Sequence, residues 1–283
     1  MPTRLFTVGC SYTSHDYPTW ADFLSSSFDE YENWGRGGFG NRAVFNRLIE
    51  IIYKKNITPQ DTIVVQWSTP VREDRWYRDG GWKPLGNIYN QSFYSEEWVE
   101  KYFDPFMGMM ETINYAIAAQ KVLDSIGCKW TMTWMTRMDD ITTIGEVENT
   151  KASSFLSLCD PDNSLKKYID IINGHEKMLF VDIETYNKNL CQRLKLPLTI
   201  IHYTMFECKS FVDPHPNPVV GYHYAKDVVC PMIGINDFDP TQEKLEFAQD
   251  WLSYLSNYPR ISKEPSFLYS GKRREDSMPR ENF

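Results

Sequence analysis

The sequence predicts an α/β domain built on an open, mostly parallel sheet of five strands, and three observations carry that expectation. Short β-rich apolar runs alternate with segments of helical apolar spacing. The run Asp-Thr-Ile-Val-Val-Gln-Trp over 61–67 is continuous and β-branched, the pattern of a strand covered on both faces. Turns of small residues follow the first three strands, where a parallel sheet presents its functional groups outside the strands' carboxyl ends.

The elements follow in order. Residues 5–9 form the first strand, which ends in the turn-like cluster Gly9-Cys10-Ser11-Tyr12-Thr13. Residues 20–28 have helical spacing, 31–34 read as a brief strand, and 35–40 are a glycine loop. Asn41 then stands as the N-cap of a helix whose buried side is Val44, Leu48, Ile51 and Ile52. After the third strand at 61–67 come a long helix at 106–126, a strand at 129–135, a helix at 185–195 and a fifth strand at 198–203. Two stretches break the alternation: 70–105, dense in Trp, Tyr, Arg, Gly and Asn, and 137–180, mixed and polar. Both read as insertions over or beside the site. One domain over 1–258 is expected, followed by a polar tail at 259–283 that lacks apolar periodicity and reads as flexible or ordered by a partner.

With 283 residues, 42% of them hydrophobic, the chain can bury a full core, and one large unit suits it better than two small ones. Its 30 basic and 38 acidic residues give a formal charge of −8, which disfavours the basic footprint of generic nucleic-acid binding. The six cysteines include no C-x-x-C pair, so neither zinc nor thioredoxin-like spacing is present, and no metal or cofactor is expected. Neither a signal peptide nor a membrane-length apolar run is found, which points to a soluble, cytoplasmic protein with no membrane partner. Its oligomeric state is left open.

Ser11 lies just past the first strand beside a glycine, where a hydroxyl can be held at the mouth of a parallel sheet. By itself such a serine is better explained by turn capping. A second signal lies in Asp213-Pro-His215-Pro-Asn-Pro218, where three prolines stiffen a loop and an Asp two residues before a His can orient the imidazole that activates a hydroxyl. A helix is expected from near Pro218.

Gly9-x-Ser11 near one end and Asp213-x-His215-Pro-Asn near the other, in that order, resemble the first and last blocks of the SGNH (GDSL-type) hydrolases. Asn33-Trp-Gly-Arg-Gly-Gly38 is similar to the second block, whose glycine N–H serves an oxyanion hole. The resemblance implies a three-layer, flavodoxin-like fold and a serine-dependent ester hydrolase or acyltransferase. Ser11 would be the nucleophile, His215 the base and Asp213 its orienting carboxylate. The oxyanion hole would draw on the N–H groups of Ser11 and Gly38, with Gly37 the weaker choice. Three departures stand out. Cys10 occupies a place often held by Asp, only Pro214 separates Asp213 from His215, and residues 62–68 lack the asparagine that completes the hole. Ser68 by alignment, or Gln66 by chemistry, would donate instead. The alternative from another class is a catalytically idle module that binds a ligand in the same cleft.

Trp67, Trp76 and Trp82 are the candidates for substrate contact. The aromatic insertion, which also holds Tyr77, Tyr89, Tyr94 and Trp98, has the composition that stacks on sugar faces, so an O-acylated carbohydrate is the expected substrate. The same composition suits a lid packed on the body, the commoner use of aromatic residues. Asp182-x-Glu184 resembles the metal-holding motif of proofreading-type exonucleases, but Asp182 is better read as a helix cap, and too little chain follows for the rest of such a site. His202 and His223 read as packed residues, and His15 and His175 carry no pattern.

Overall fold

The computed structural model describes residues 2–15, 18–78, 81–88, 94–135 and 215–257. In chain order its elements begin β1 (Arg4–Val8), α1 (Trp20–Leu24), β2 (Glu30–Asn33), α2 (Asn41–Lys54) and β3 (Thr62–Trp67). They continue with β4 (Arg72–Tyr77), β5 (Gly81–Asn87), α3 (Glu96–Tyr102), α4 (Pro105–Ile126) and β6 (Lys129–Trp134). Helix α5 (Pro218–Tyr224) runs on through a π-helical turn (Ala225–Val229) and a short helical turn (Cys230–Met232), and α6 (Gln242–Asn257) ends the described elements.

Four strands form a wholly parallel sheet in the order β2-β1-β3-β6. From β1 the chain goes to β2 on one side, and β3 then joins β1 on the other, so the strand order reverses at the β1/β3 junction. The carboxyl ends of these two strands therefore flank the crevice where open α/β sheets place ligands. All six residues of β3 are buried, which is why its sequence is a continuous apolar run rather than an alternating one. The α/β class and parallel sheet expected from the sequence are observed. The expected strand at 198–203, the helix at 185–195, the insertion at 137–180 and the tail from 258 onward lie outside the described residues.

Helix α2 buries Ala43, Val44, Leu48 and Ile51 at helical spacing. Helix α4 starts at Pro105 after Asp104, whose side chain accepts from the Phe106 N–H, and it stops at Gly127, which takes the left-handed conformation (φ 75°). Among the described residues no helix is long and apolar enough to cross a membrane.

Three local expectations need correction. The helical spacing over 20–28 resolves into α1 and a 3-10 turn, Ser25–Ser27. Helix α6, at 242–257, was not expected. Asn41 does not cap α2: Gly40 holds the N-cap position, and the Asn41 amide reaches across the fold. It accepts from the Ser68 N–H at 2.7 Å and donates to the Ser68 carbonyl at 3.0 Å and to Thr112 Oγ1 at 2.9 Å. The open N–H groups at the start of α2 are instead met by Asp74 of β4, which accepts from Gly40 at 2.9 Å and from Ala43 at 3.0 Å. A distant carboxylate has taken over work that the local sequence assigned to Asn41.

The insertion at 70–105 is a hairpin, β4 paired antiparallel with β5, followed by α3. Val71, Ile88 and Val99 give it a small core of its own.

Candidate active site

Strand β1 ends at Val8, and the chain turns at once, with Thr13 and Ser14 donating to the Cys10 carbonyl. Gly9 is required by closeness: a β-carbon there would lie 2.2 Å from Thr13 Oγ1. The turn is pinned from three sides. Thr13 Oγ1 donates to Gln66 Oε1 at 2.9 Å, and the Thr13 carbonyl accepts from Asn33 Nδ2 and Thr19 Oγ1, each at 2.7 Å. Cys10 and Ser11 diverge. Cys10 is fully buried with its sulfur 3.5 Å from Met135 Sδ, whereas Ser11 faces a small cavity.

His215 reaches the same cavity from the far end of the chain. It lies just before α5, which is started by Pro218 and capped by Asn217, whose side chain accepts from the Val220 N–H at 3.1 Å. Helix α5 sits close on α1 because residue 221 is glycine: a β-carbon there would come within 3.0 Å of the Trp20 nitrogen. Ser11, Tyr12, His15, Trp20, His215 and Gly221 all line the cavity, whose volume of about 10 Å³ suits a single water. The His215 ring lies edge-on to Tyr12, with centroids 5.0 Å apart, and 4.4 Å from the ring of His15. Asp213 lies outside the described residues.

His15, Tyr12, Trp20 and Gly221 were not singled out in the sequence. His15 had only its place four residues after Ser11 as a signal. Tyr12 follows Ser11 directly, whereas Trp20 and Gly221 become neighbours through the packing of α5 on α1.

The glycine loop passes beside Ser11. A β-carbon on Gly37 would lie 3.9 Å from Ser11 Cβ, whereas Gly38, at φ 80°, turns toward Pro84 of β5, where a β-carbon would come within 3.1 Å. The two candidate replacements for the absent asparagine are turned inward. Gln66 is fully buried and engaged with Thr13, and Ser68 is 1% exposed with its hydroxyl facing the Met135 sulfur at 4.0 Å. Neither lines the cavity that Ser11 and His215 share.

The three tryptophans separate. Trp67 has no surface to offer a ligand: it is fully buried, packs on Trp134, and its indole N–H meets Met132 Sδ at 3.3 Å. This corrects its assignment to substrate contact, because the third strand is covered on both faces. Trp76 is 52% exposed on the hairpin and stands edge-on to Trp82, with centroids 5.4 Å apart. His223 lies on α5 with Nδ1 3.9 Å from Asp227 Oδ2. Asp182, Glu184, His175 and His202 lie outside the described residues.

Burial shifts two groups strongly. It pushes the Asp74 carboxyl up to about 6, against the opposing pull of the Gly40 and Ala43 N–H groups, and it pushes the Cys230 thiol up to about 12, leaving that thiol inert.

No family model and no curated protein matches the chain. Among solved structures it is similar to a member of the lipolytic G-D-S-L family from Veillonella parvula, at 12% identity and TM-score 0.44, covering 80% of this chain and 97% of that one. It is also similar to a GDSL-like lipase from Bacteroides thetaiotaomicron, at 13% identity and TM-score 0.43, covering 82% and 87%. A third likeness is to the YXIM protein of Bacillus subtilis, at 15% identity and TM-score 0.43, covering 84% of this chain and 58% of that one.

Proposed function

We propose that the chain is an SGNH-type serine ester hydrolase or acyltransferase with slow turnover. The carrying observation is that Ser11, in the first turn after β1, and His215, just before α5, line one cavity beyond the carboxyl end of β1. In this reading Ser11 Oγ attacks the ester carbonyl and forms the new C–O bond while His215 takes its proton. The tetrahedral intermediate then expels the alcohol, which leaves with that proton, and water or a sugar hydroxyl releases the acyl group by the reverse sequence. Asp213 would fix the imidazole tautomer.

The developing oxyanion would meet the N–H of Ser11 and one from the Gly37–Gly38 pair. Ser68, the proposed third donor, would have to turn out of its contact with Met135 to take part. A hole short of one preorganised donor loses about 3 kcal/mol of transition-state stabilisation, which is the basis for expecting slow turnover. Trp76 and Trp82 would offer ring faces to the carbohydrate portion of an O-acylated substrate.

The inward turn of Gln66 and Ser68 favours a second reading, an idle SGNH-fold module that binds its ligand in the same cleft. A fluorophosphonate probe separates the two. Covalent labelling that maps to Ser11 and is lost in Ser11→Ala supports the enzyme. A folded chain that stays unlabelled at high probe concentration supports the module.

A further inference from the structure

The glycine loop that would supply an oxyanion donor is held at both ends, and the two anchors are of different kinds. At its start the Arg36 N–H donates to the Gly9 carbonyl at 3.1 Å, which ties the loop to the end of β1. At its other end three residues of the hairpin grip it. Arg72 Nη1 donates to the Phe39 carbonyl at 3.3 Å, Asp74 takes the N–H groups of Gly40 and Ala43, and Pro84 lies under Gly38. The fit is close, because a β-carbon on Gly40 would come within 2.8 Å of both Asp74 Oδ2 and the Arg72 carbonyl. Asp74 itself is 2% exposed.

We propose that Asp74 is a positioning residue of the active site: through its two hydrogen bonds to the start of α2 it fixes the Gly37–Gly38 segment at the distance from Ser11 that an oxyanion donor needs. The proposal rests on the reading of Ser11 as the nucleophile. It explains why a hairpin outside the main sheet contributes a buried carboxylate to a helix it does not belong to. A carboxylate suits the task because each oxygen accepts from one N–H, and the positive end of α2 favours its charge. Protonation removes one of these acceptors, so the geometry depends on the ionised form, and burial raises the pH at which that form is reached to about 6.

The effect of losing the clamp falls on the chemical step. A donor displaced by about an ångström still permits substrate binding but stabilises the transition state less, so kcat falls while KM holds. The test compares full-length wild type, Asp74→Asn, which keeps one acceptor oxygen, and Asp74→Ala, which keeps none. Pro84→Ala, which loosens the support under Gly38, serves as a milder companion should Asp74→Ala fail to fold. The readouts are fluorophosphonate labelling rate and p-nitrophenyl acetate turnover, each across pH 4–8.

The expected result is a fall in labelling rate of about tenfold in Asp74→Asn and about a hundredfold in Asp74→Ala, with KM within about twofold of wild type. As pH falls through about 6 the wild-type rate should slope down by up to about tenfold relative to Asp74→Asn, because protonation and the Asn substitution each remove one acceptor. A merely structural Asp74 would leave wild type and variant with the same slope. Wild-type labelling together with a folded Asp74→Asn that labels at the same rate and slope overturns the role of Asp74 alone. A wild type that does not label overturns the reading of Ser11, and the positioning role with it.

Discussion

Gly40 has no room for a β-carbon, since one would stand 2.8 Å from the Arg72 carbonyl and from Asp74 Oδ2. Both neighbours are fixed, one being backbone and the other a buried carboxylate, so the strain has no cheap outlet. Gly40→Ala is expected to lower unfolding free energy by about 2 kcal/mol, measured by urea denaturation. An equal or higher midpoint would show that the hairpin yields easily. Gln66 tests the chemistry instead. Its Oε1 accepts from Thr13, and its Nε2 is buried with no partner among the described residues. Gln66→Met keeps the volume but leaves the buried Thr13 hydroxyl without its acceptor, so unfolding free energy should fall by about 1–3 kcal/mol, measured by urea denaturation. Labelling of Ser11 should stay within about twofold of wild type. A fall of a hundredfold or more would assign Gln66 to the oxyanion hole after all.

The coupling between β4 and α2 gives these elements a shared pH dependence. The Asp74 carboxyl is raised from 3.8 to about 6, so the folded chain binds this proton more tightly than the unfolded chain does. The resulting stabilisation is fully present below about pH 4 and is lost as pH rises through about 6; the shift corresponds to about 3 kcal/mol. Asp74→Asn carries no such titration. The unfolding free energy of wild type minus that of Asp74→Asn should therefore fall by about 2 kcal/mol between pH 4 and pH 7, as read by urea denaturation at each pH. A flat difference would mean that the carboxyl titrates alike in both states. At the other end of the sheet the Arg4 guanidinium grips Asp61 with two 2.7 Å hydrogen bonds, joining the start of β1 to that of β3. Burial would raise the Asp61 carboxyl, but the hydrogen bonds from Arg4 and Thr58 hold it below the usual range. Arg4→Ala strands that carboxylate at 2% exposure, with an expected loss of about 2 kcal/mol.

Across the molecule, stability is unevenly shared. Strand β3 is buried along its whole length and paired on both edges, whereas β4 pairs only with β5 and every one of its residues except Asp74 stands partly or fully exposed. Hydrogen exchange should follow that gradient, with the amides of 62–67 slowest and those of 75–77 and 81–83 exchanging through local opening. Equal protection of the two segments would show that the hairpin opens only with the whole fold. The same gradient bears on function, because the hairpin that carries Trp76 and Trp82 also holds the glycine loop through Asp74. Opening it would release the loop.

The parallel sheet was legible in the sequence because strands covered on both faces leave a simple trace: runs such as residues 62–67 can be little else. The first and last motifs were legible too, since a glycine beside Ser11 and prolines around His215 report local backbone needs that no tertiary contact has to explain. The sequence alone also set which positions could bear chemistry. It could not set where they face. Gln66 and Ser68 had the right chemistry for donors, yet their direction follows from strand register and from Thr13 and Met135, partners far away in the chain. Trp67 matched Trp76 in type and was lost to the core for the same reason. The start of α2 was read as capped by Asn41, but a carboxylate 34 residues beyond Gly40 reached it instead, and His15 met His215 only because Gly221 lets α5 settle on α1. Local backbone preference is written residue by residue, whereas a hydrogen bond between distant segments exists only once packing has brought them together.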